Sequence, residues 1–302
     1  MGICDGRVVI VTGAGRGIGR GHALEFAKHG AKVIVNDLGK ERDDSGTPQP
    51  VAQQVVDEIK ALGGEALANA DDVSDWNAAS SLIDQAYDAW GKLDVLVNNA
   101  GILRDRMLFN MEEQEWDDVI RVHLKGTFCP TRHATARWRE LAKSGEQLDA
   151  RIINTTSTSG IYGNPGQANY GAAKAGIASF TIILSRELEK YGITVNAISP
   201  GALTRMTSDL GNRPAAAEGS WDPRDPDNIA PIAVWLGSAE SKGVTGRVFH
   251  SSGGRLGISE GWHPGPMKDK EGRWDPAELG PVVAELIEKA EPPYAMGGGR
   301  RR

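Results

Sequence analysis

Between Arg7 and Ala197 the chain alternates short apolar runs with longer stretches whose apolar residues recur every three or four positions. The short runs are RVVIV (7–11), AKVIV (31–35), EALAN (65–69), LDVLV (93–97), RIIN (151–154) and ITVNA (193–197). Rich in β-branched residues and bounded by Gly, Asn, Asp or Pro, they read as strands. Helical periodicity fills 19–29, 51–62, 75–90, 113–142 and 168–191, and GRVF (246–249) reads as a closing strand. Strands that are apolar throughout, separated by amphipathic helices, specify an α/β domain. The expected architecture is a single doubly wound parallel sheet of about seven strands, with helices on both faces.

Two regions break the alternation. GKERDDSGTPQP (39–50) is a polar connection, longer than the roughly two to six residues usual between strand and helix. From about Gly257 the sheet pattern stops, and the chain becomes rich in Gly, Pro and Trp. A short helix is expected there at 276–289, and the closing GGGRRR is expected to be disordered. The predicted organisation is a main domain at 1–256 followed by a C-terminal extension at 257–302.

Composition narrows the function classes. The 302 residues carry a formal net charge of -6, which argues against nucleic acid as a partner, because phosphate backbones are met by basic faces. No apolar run reaches the roughly eighteen residues of a membrane span. MGICDGRVVIVTG lacks the basic-then-apolar pattern of a secretory signal. Cys4 and Cys129 match no metal-ligand spacing and suit a reducing compartment. A cytoplasmic protein without a metal is expected.

The first strand runs into TGAGRGIG (12–19), which opens a helix. Glycines in such a turn let the backbone approach a pyrophosphate, and the helix N-terminus offers N–H groups and a positive dipole end. Gly13, Gly15, Arg16, Gly17, Ile18 and Gly19 are therefore candidate dinucleotide-binding positions, on a G-x-x-x-G-x-G spacing rather than G-x-G-x-x-G. Asp37, at the end of the second strand, follows Gly19 by eighteen residues, near the roughly twenty expected of a ribose-binding carboxylate. It accepts from ribose hydroxyls and repels a 2′-phosphate, which favours NAD. Arg16 could pair with that phosphate and pulls toward NADP. Two unit charges about 4 Å apart near a surface interact by roughly 4 kcal/mol, so a fixed carboxylate should outweigh a flexible arginine.

NYGAAK (169–174) places Tyr170 and Lys174 one helical turn apart, about 6 Å along the axis, with only small residues between them. A phenol that works as a base at neutral pH needs its pKa lowered by about three units, roughly 4 kcal/mol. An ammonium about 4 Å away supplies that amount. Ser157, thirteen residues upstream, ends a strand and can hold the oxygen that Tyr170 protonates or deprotonates. NNAG (98–101) and ISPGALT (198–204) end two further strands on the carboxyl edge, where ligands bind in open α/β sheets.

TGAGRGIG, NNAG, Ser157, the Tyr170/Lys174 pair and the Pro200–Gly201 turn, in this order, resemble the short-chain dehydrogenase/reductase family and its Rossmann-type sheet over about residues 5 to 256. The resemblance implies that Tyr170 is the acid/base, that Lys174 depresses its pKa and binds the nicotinamide ribose, and that Ser157 orients the substrate. It further implies adenine contacts from Asp72 and Val73, and an adenosine-ribose contact from Asn98 within the Asn98–Ala100–Gly101 turn. The turn from Pro200 and Gly201 to Thr204 would hold the carboxamide. One position departs: VHLKGTF puts His123 where the family usually has an Asn that kinks a helix and holds a proton-relaying water. A histidine titrates near neutrality and could relay protons itself.

VNDLG, NNAGILRDR, RVHLKGTF and SGIYGNPGQANYGAAK narrow the resemblance to the (3R)-hydroxyacyl-CoA dehydrogenase module of type 2 multifunctional β-oxidation enzymes and its bacterial single-domain relatives. The implied activity is NAD-dependent interconversion of a secondary alcohol and a ketone, on an acyl-CoA or steroid-like small molecule. A homodimer or homotetramer is implied as well. The rivals are an NADPH-linked 3-oxoacyl reductase, a ring hydroxysteroid dehydrogenase and, from a different class, a non-catalytic dinucleotide sensor.

Overall fold

The β-branched runs form strands and the amphipathic runs cover them. In the computed structural model, which describes residues 2–42, 48–202 and 221–294, the chain begins with β1 (Val8–Thr12), α1 (Gly17–Lys28) and β2 (Lys32–Asn36). It continues through β3 (Lys40–Arg42), β4 (Pro48–Pro50), α2 (Val51–Ala61), β5 (Glu65–Asn69), α3 (Trp76–Trp90) and β6 (Val95–Asn98). Then come α4 (Glu113–Val119), α5 (Gly126–Lys143), β7 (Ala150–Thr155), α6 (Thr158–Tyr162), α7 (Ala168–Leu188) and β8 (Ile193–Pro200). The last elements are α8 (Ala230–Gly237), β9 (Val248–Ser252), β10 (Arg255–Ser259) and α9 (Leu279–Lys289).

Strand order in the main sheet is β5-β2-β1-β6-β7-β8-β9-β10, parallel except for the last pair. Alternate residues of β1 serve opposite faces: Val9 and Val11 pack with Phe26 and Ile59, Val8 and Ile10 with Leu82 and Trp138. All five residues of β1 are buried, as a parallel sheet covered on both faces requires.

The sheet has eight strands rather than about seven, and it runs through Ser259 instead of stopping near Gly257. Gly253 (φ +55°) and Gly254 reverse the chain, and β10 pairs antiparallel with β9. As an edge strand, β10 leaves Leu256 and Ile258 exposed, so it lacks the continuous apolar run of a buried strand. The polar connection at 39–50 also carries structure, a two-stranded ribbon of β3 and β4 leading into α2. The expected helix at 113–142 is interrupted by a π-turn over Ile120–Lys125.

The chain divides into two compact units, one ending at Ser259 and one beginning at Glu260. In the second, Asp275 and Glu278 form a capping box ahead of α9, and Lys268 pairs with Glu285 at 2.8 Å. The GGGRRR segment lies outside the described residues. Among the described residues no helix is long and apolar enough to cross a membrane.

Candidate active site

Parallel strands deliver their carboxyl ends to one edge, and β1 has β2 on one side and β6 on the other. That change of direction opens a crevice at the carboxyl ends of β1 and β6. The glycine turn after β1 lies in it. Gly13 has φ +62°, and a methyl on Gly19 would sit 2.1 Å from the Gly13 carbonyl. α1 begins directly after the turn, and its N-cap residue Arg16 makes no side-chain cap bond. The N–H groups of the first turn of α1 therefore point toward the crevice without intrahelical acceptors. Gly17 and Ile18 open that turn, and the Ile18 side chain packs on the core. An uncapped helix end beside a turn too close for a side chain fits the pyrophosphate of a dinucleotide.

Asp37 stands beside the turn. Its carboxylate accepts from Gly15 N at 2.9 Å and Gly39 N at 2.7 Å, which fixes it in place while leaving lone pairs for further donors. Asp72 is engaged by the Ser74 amide and hydroxyl and, at 3.1 Å, by Arg121, so its pKa is held below the ordinary value. The Val73 side chain is buried in the core.

The β6 end divides its tasks. Asn98 donates its amide Nδ2 inward to Thr131 and Asn154, both at 2.9 Å, and its Oδ1 is buried without a hydrogen-bond partner. Asn99 donates to the carbonyls of Thr12 and Gly13 at 3.0 Å. Thr12 in turn accepts from the amides of Asn99 and Ala100. This lacing of two strand ends fixes the glycine turn. Sequence reasoning passed over Asn99, although its place in NNAG was visible.

Ser157 follows β7 as the N-cap of α6 and accepts from Ser159 N at 3.1 Å. Its hydroxyl acts on Tyr170, on the first turn of α7, and favours the phenolate. Lys174, one turn further, is buried and donates to the Thr155 carbonyl at 2.6 Å. Its amine lies 5.6 Å from the centre of the Tyr170 ring. The structure thus brings Ser157, Tyr170 and Lys174 together at the end of β7.

The electrostatics correct the sequence argument. Burial pushes the Tyr170 phenol above its ordinary pKa, the Ser157 hydroxyl opposes this, and the Asp105 carboxylate adds to it. Burial also pulls Lys174 down to about 7. The ammonium expected to lower Tyr170 is itself pulled down by burial, and the net shift of the phenol is upward.

His123 sits in the π-turn, and its ring meets Tyr170 edge-on at 5.1 Å. The expectation that it titrates near neutrality fails: burial and the nearby Lys174 lower it to about 3. Its Nε2 lies 2.7 Å from the Ile102 carbonyl and 3.1 Å from the Ile102 amide, while Nδ1 is buried without a hydrogen-bond partner. A methyl on Gly101 would lie 2.3 Å from the ring. Neutral and wedged against the Gly101–Ile102 backbone, the histidine braces the β6 end.

At the end of β8, Gly201 donates to the Ser251 carbonyl at 2.8 Å and accepts from Ser252 at 2.9 Å, which ties the Pro200–Gly201 turn to β9. Thr204 lies outside the described residues.

A phenol able to carry a proton, a hydroxyl able to hold an oxygen and a nucleotide cradle on one sheet edge define an oxidoreductase of the dinucleotide-dependent, doubly wound class. A family model described as short chain dehydrogenase matches residues 7–214. A short chain dehydrogenase from Mycobacterium avium, known from its crystal structure, is 54% identical, with a TM-score of 0.88 over 97% of this chain and 99% of that one. Hydroxyacyl-CoA dehydrogenase ChsB1 of Mycobacterium tuberculosis is 41% identical over 296 residues, which is 95% of this chain and 90% of that protein. Peroxisomal multifunctional enzyme type 2 of Mus musculus is 45% identical over 253 residues, 84% of this chain but 32% of the mouse protein. The chain belongs to the short-chain dehydrogenase/reductase family.

Proposed function

We propose that the protein is an NAD-linked oxidoreductase that interconverts a secondary alcohol and a ketone, with a 3-hydroxyacyl-CoA and its 3-oxoacyl counterpart as the substrate pair. The observation that carries the chemistry is the grouping of Ser157, at the cap of α6, with Tyr170 on α7 and the Lys174 amine 5.6 Å from the Tyr170 ring. In alcohol oxidation Ser157 Oγ donates to the substrate oxygen, and deprotonated Tyr170 Oη takes the hydroxyl proton as the carbonyl forms. In ketone reduction Tyr170 Oη returns the proton to that oxygen. The dinucleotide, when bound, accepts or supplies the hydride at the carbinol carbon. Lys174, held by the Thr155 carbonyl, would bind the nicotinamide ribose and favours the phenolate whenever it is charged. His123 holds the Gly101–Ile102 backbone in register with this centre.

The glycine turn and the α1 N-terminus would bind the pyrophosphate, Asp37 would take the adenosine ribose hydroxyls, and Asp72, Val73, Asn98, Ala100 and Gly101 would hold the adenosine half. Pro200, Gly201 and Thr204 serve the carboxamide. A fixed Asp37 carboxylate disfavours a 2′-phosphate, which supports NAD over NADP. The acyl-CoA assignment rests on the similarity to the hydroxyacyl-CoA dehydrogenase over 95% of this chain. A cytoplasmic homodimer or homotetramer completes the reading.

The test is the initial rate of acetoacetyl-CoA reduction with NADH and, separately, NADPH, followed by nicotinamide absorbance. Faster turnover with NADH is expected. A preference for NADPH transfers cofactor selection from Asp37 to Arg16 and makes the enzyme a reductase. No turnover with either refutes the acyl-CoA assignment.

A further inference from the structure

Gln167 is the N-cap residue of α7, yet its side chain makes no cap bond to the helix. It is buried and spent on other partners. Nε2 donates to Asp105 Oδ2 at 2.7 Å. Oε1 accepts from Ser159 Oγ at 2.7 Å and from Asn164 Nδ2 at 2.9 Å. Ser159 N donates to Ser157 Oγ, and the Ser157 hydroxyl acts on the Tyr170 phenol. Hydrogen bonds thus link a carboxylate on the loop after β6, through the start of α7 and the cap of α6, to the hydroxyl beside the phenol.

The backbone around this chain is laced as tightly. Arg106 N donates to Gly166 O at 2.8 Å. Asn169 donates to the carbonyls of Arg104 and Glu115 at 3.0 Å and accepts from Tyr170 N at 2.7 Å. The neighbouring arginines are committed elsewhere: Arg106 pairs with Glu115 and Arg104 faces Asp118. Asp105 therefore spends its carboxylate on Gln167 rather than on a surface ion pair. A bond from the buried Gln167 to the exposed Asp105 carboxylate adds little stability by itself, because exposed charges are screened by solvent. What a fully bonded network adds is a fixed orientation.

The geometry points to Gln167 and Asp105 as positioning residues, which set the Ser157 hydroxyl and the Tyr170 phenol for proton transfer. This inference rests on the reading of Tyr170 as acid/base. The charged or titratable groups facing Tyr170 are Asp105 from the β6 loop, His123 from the π-turn and Lys174 from its own helix. His123 is neutral across the working range, so Asp105 is the anionic member of the set.

Two variants separate geometry from charge. Gln167→Ala cuts the chain, and its kcat is expected to fall roughly tenfold or more with nucleotide affinity unchanged, since misplacement of a reacting group carries penalties of that order. Asp105→Asn keeps an acceptor for Gln167 but removes the charge. It is expected to move Tyr170 ionisation to lower pH, read as phenolate ultraviolet absorbance by difference from the matching Tyr170→Phe protein. That readout needs no substrate, so a wrong acyl-CoA assignment is distinguishable from a wrong network. It also stands if Gln167→Ala fails to fold. Turnover of a folded Gln167→Ala within about twofold of wild type, or an unmoved Tyr170 ionisation in Asp105→Asn, overturns the proposal.

Discussion

Replacing Lys174 by Met separates what the buried amine does for function from what it does to stability. The side chain is 3% exposed, and burial lowers its pKa from 10.5 to about 7. In the unfolded chain the amine keeps its proton up to its ordinary pKa, whereas in the fold it begins to lose it near neutrality. The unfolded state thus binds more protons between the two values, and stability rises with pH across that window. From about pH 7 to pH 9 the wild type should gain roughly 2 kcal/mol relative to Lys174→Met, at about 1.36 kcal/mol per unit of pKa difference. The full benefit appears only above the unfolded pKa and is lost as the pH falls through the folded one. The assay is urea unfolding followed by tryptophan fluorescence, at fixed protein concentration and without nucleotide, because bound ligand would add its own stabilisation. Lys174→Met should lose activity while becoming the more stable protein near pH 7. The pH-independent loss of the bond to Thr155 is a constant offset that drops out when the wild-type-minus-variant difference at about pH 9 is compared with that at about pH 7. A difference that stays level from about pH 7 to pH 9 refutes a depressed lysine.

Tyr170→Phe should lower turnover by roughly a hundredfold or more, the usual weight of a general acid/base, with nucleotide affinity by calorimetry unchanged. Since burial raises the Tyr170 pKa, wild-type alcohol oxidation should climb with pH well past neutrality while ketone reduction declines, checked by rates in both directions. His123→Ala should reduce turnover more than about tenfold by loosening the Gly101–Ile102 backbone. Because the ring stays neutral down to about pH 3, the pH–rate profile should keep its shape, and a displaced profile would mean that the histidine titrates. Gly19→Ala drives a methyl against the Gly13 carbonyl, and nucleotide titration should show weakened binding.

The parts legible in the sequence were those written locally. TGAGRGIG needs only adjacent residues, and the Tyr170/Lys174 pair needs only one helical turn. Asp37 was reachable because a strand–turn–helix–strand unit has a nearly fixed length. The Asp105–Gln167 bond joins residues 62 apart, and nothing in either neighbourhood announces it. The direction of the Tyr170 shift was misjudged for a related reason: spacing gives a charge separation but not the burial around it, and burial dominates both groups. Helix α8 went unseen because it is short and apolar all round, giving no period. The Asp225–Pro226 pair that opens the 3-10 turn leading into it, an N-cap followed by proline, was the available signal. The edge strand β10 had only its glycine turn to mark it.

The π-turn at Ile120–Lys125 has a consequence for the phase of the rod that contains it. A surplus residue in a helix is worth about 100° of rotation, so α4 and α5 follow different settings of the same spiral. The α4 setting is keyed to α7, the helix that carries Tyr170. The α5 setting is keyed to α3 and to the buried Trp138, whose indole donates to the Leu93 carbonyl at 2.8 Å. One continuous helix could satisfy either neighbour but not both. The widened turn acts as a clutch between them, and His123 occupies the slip plane.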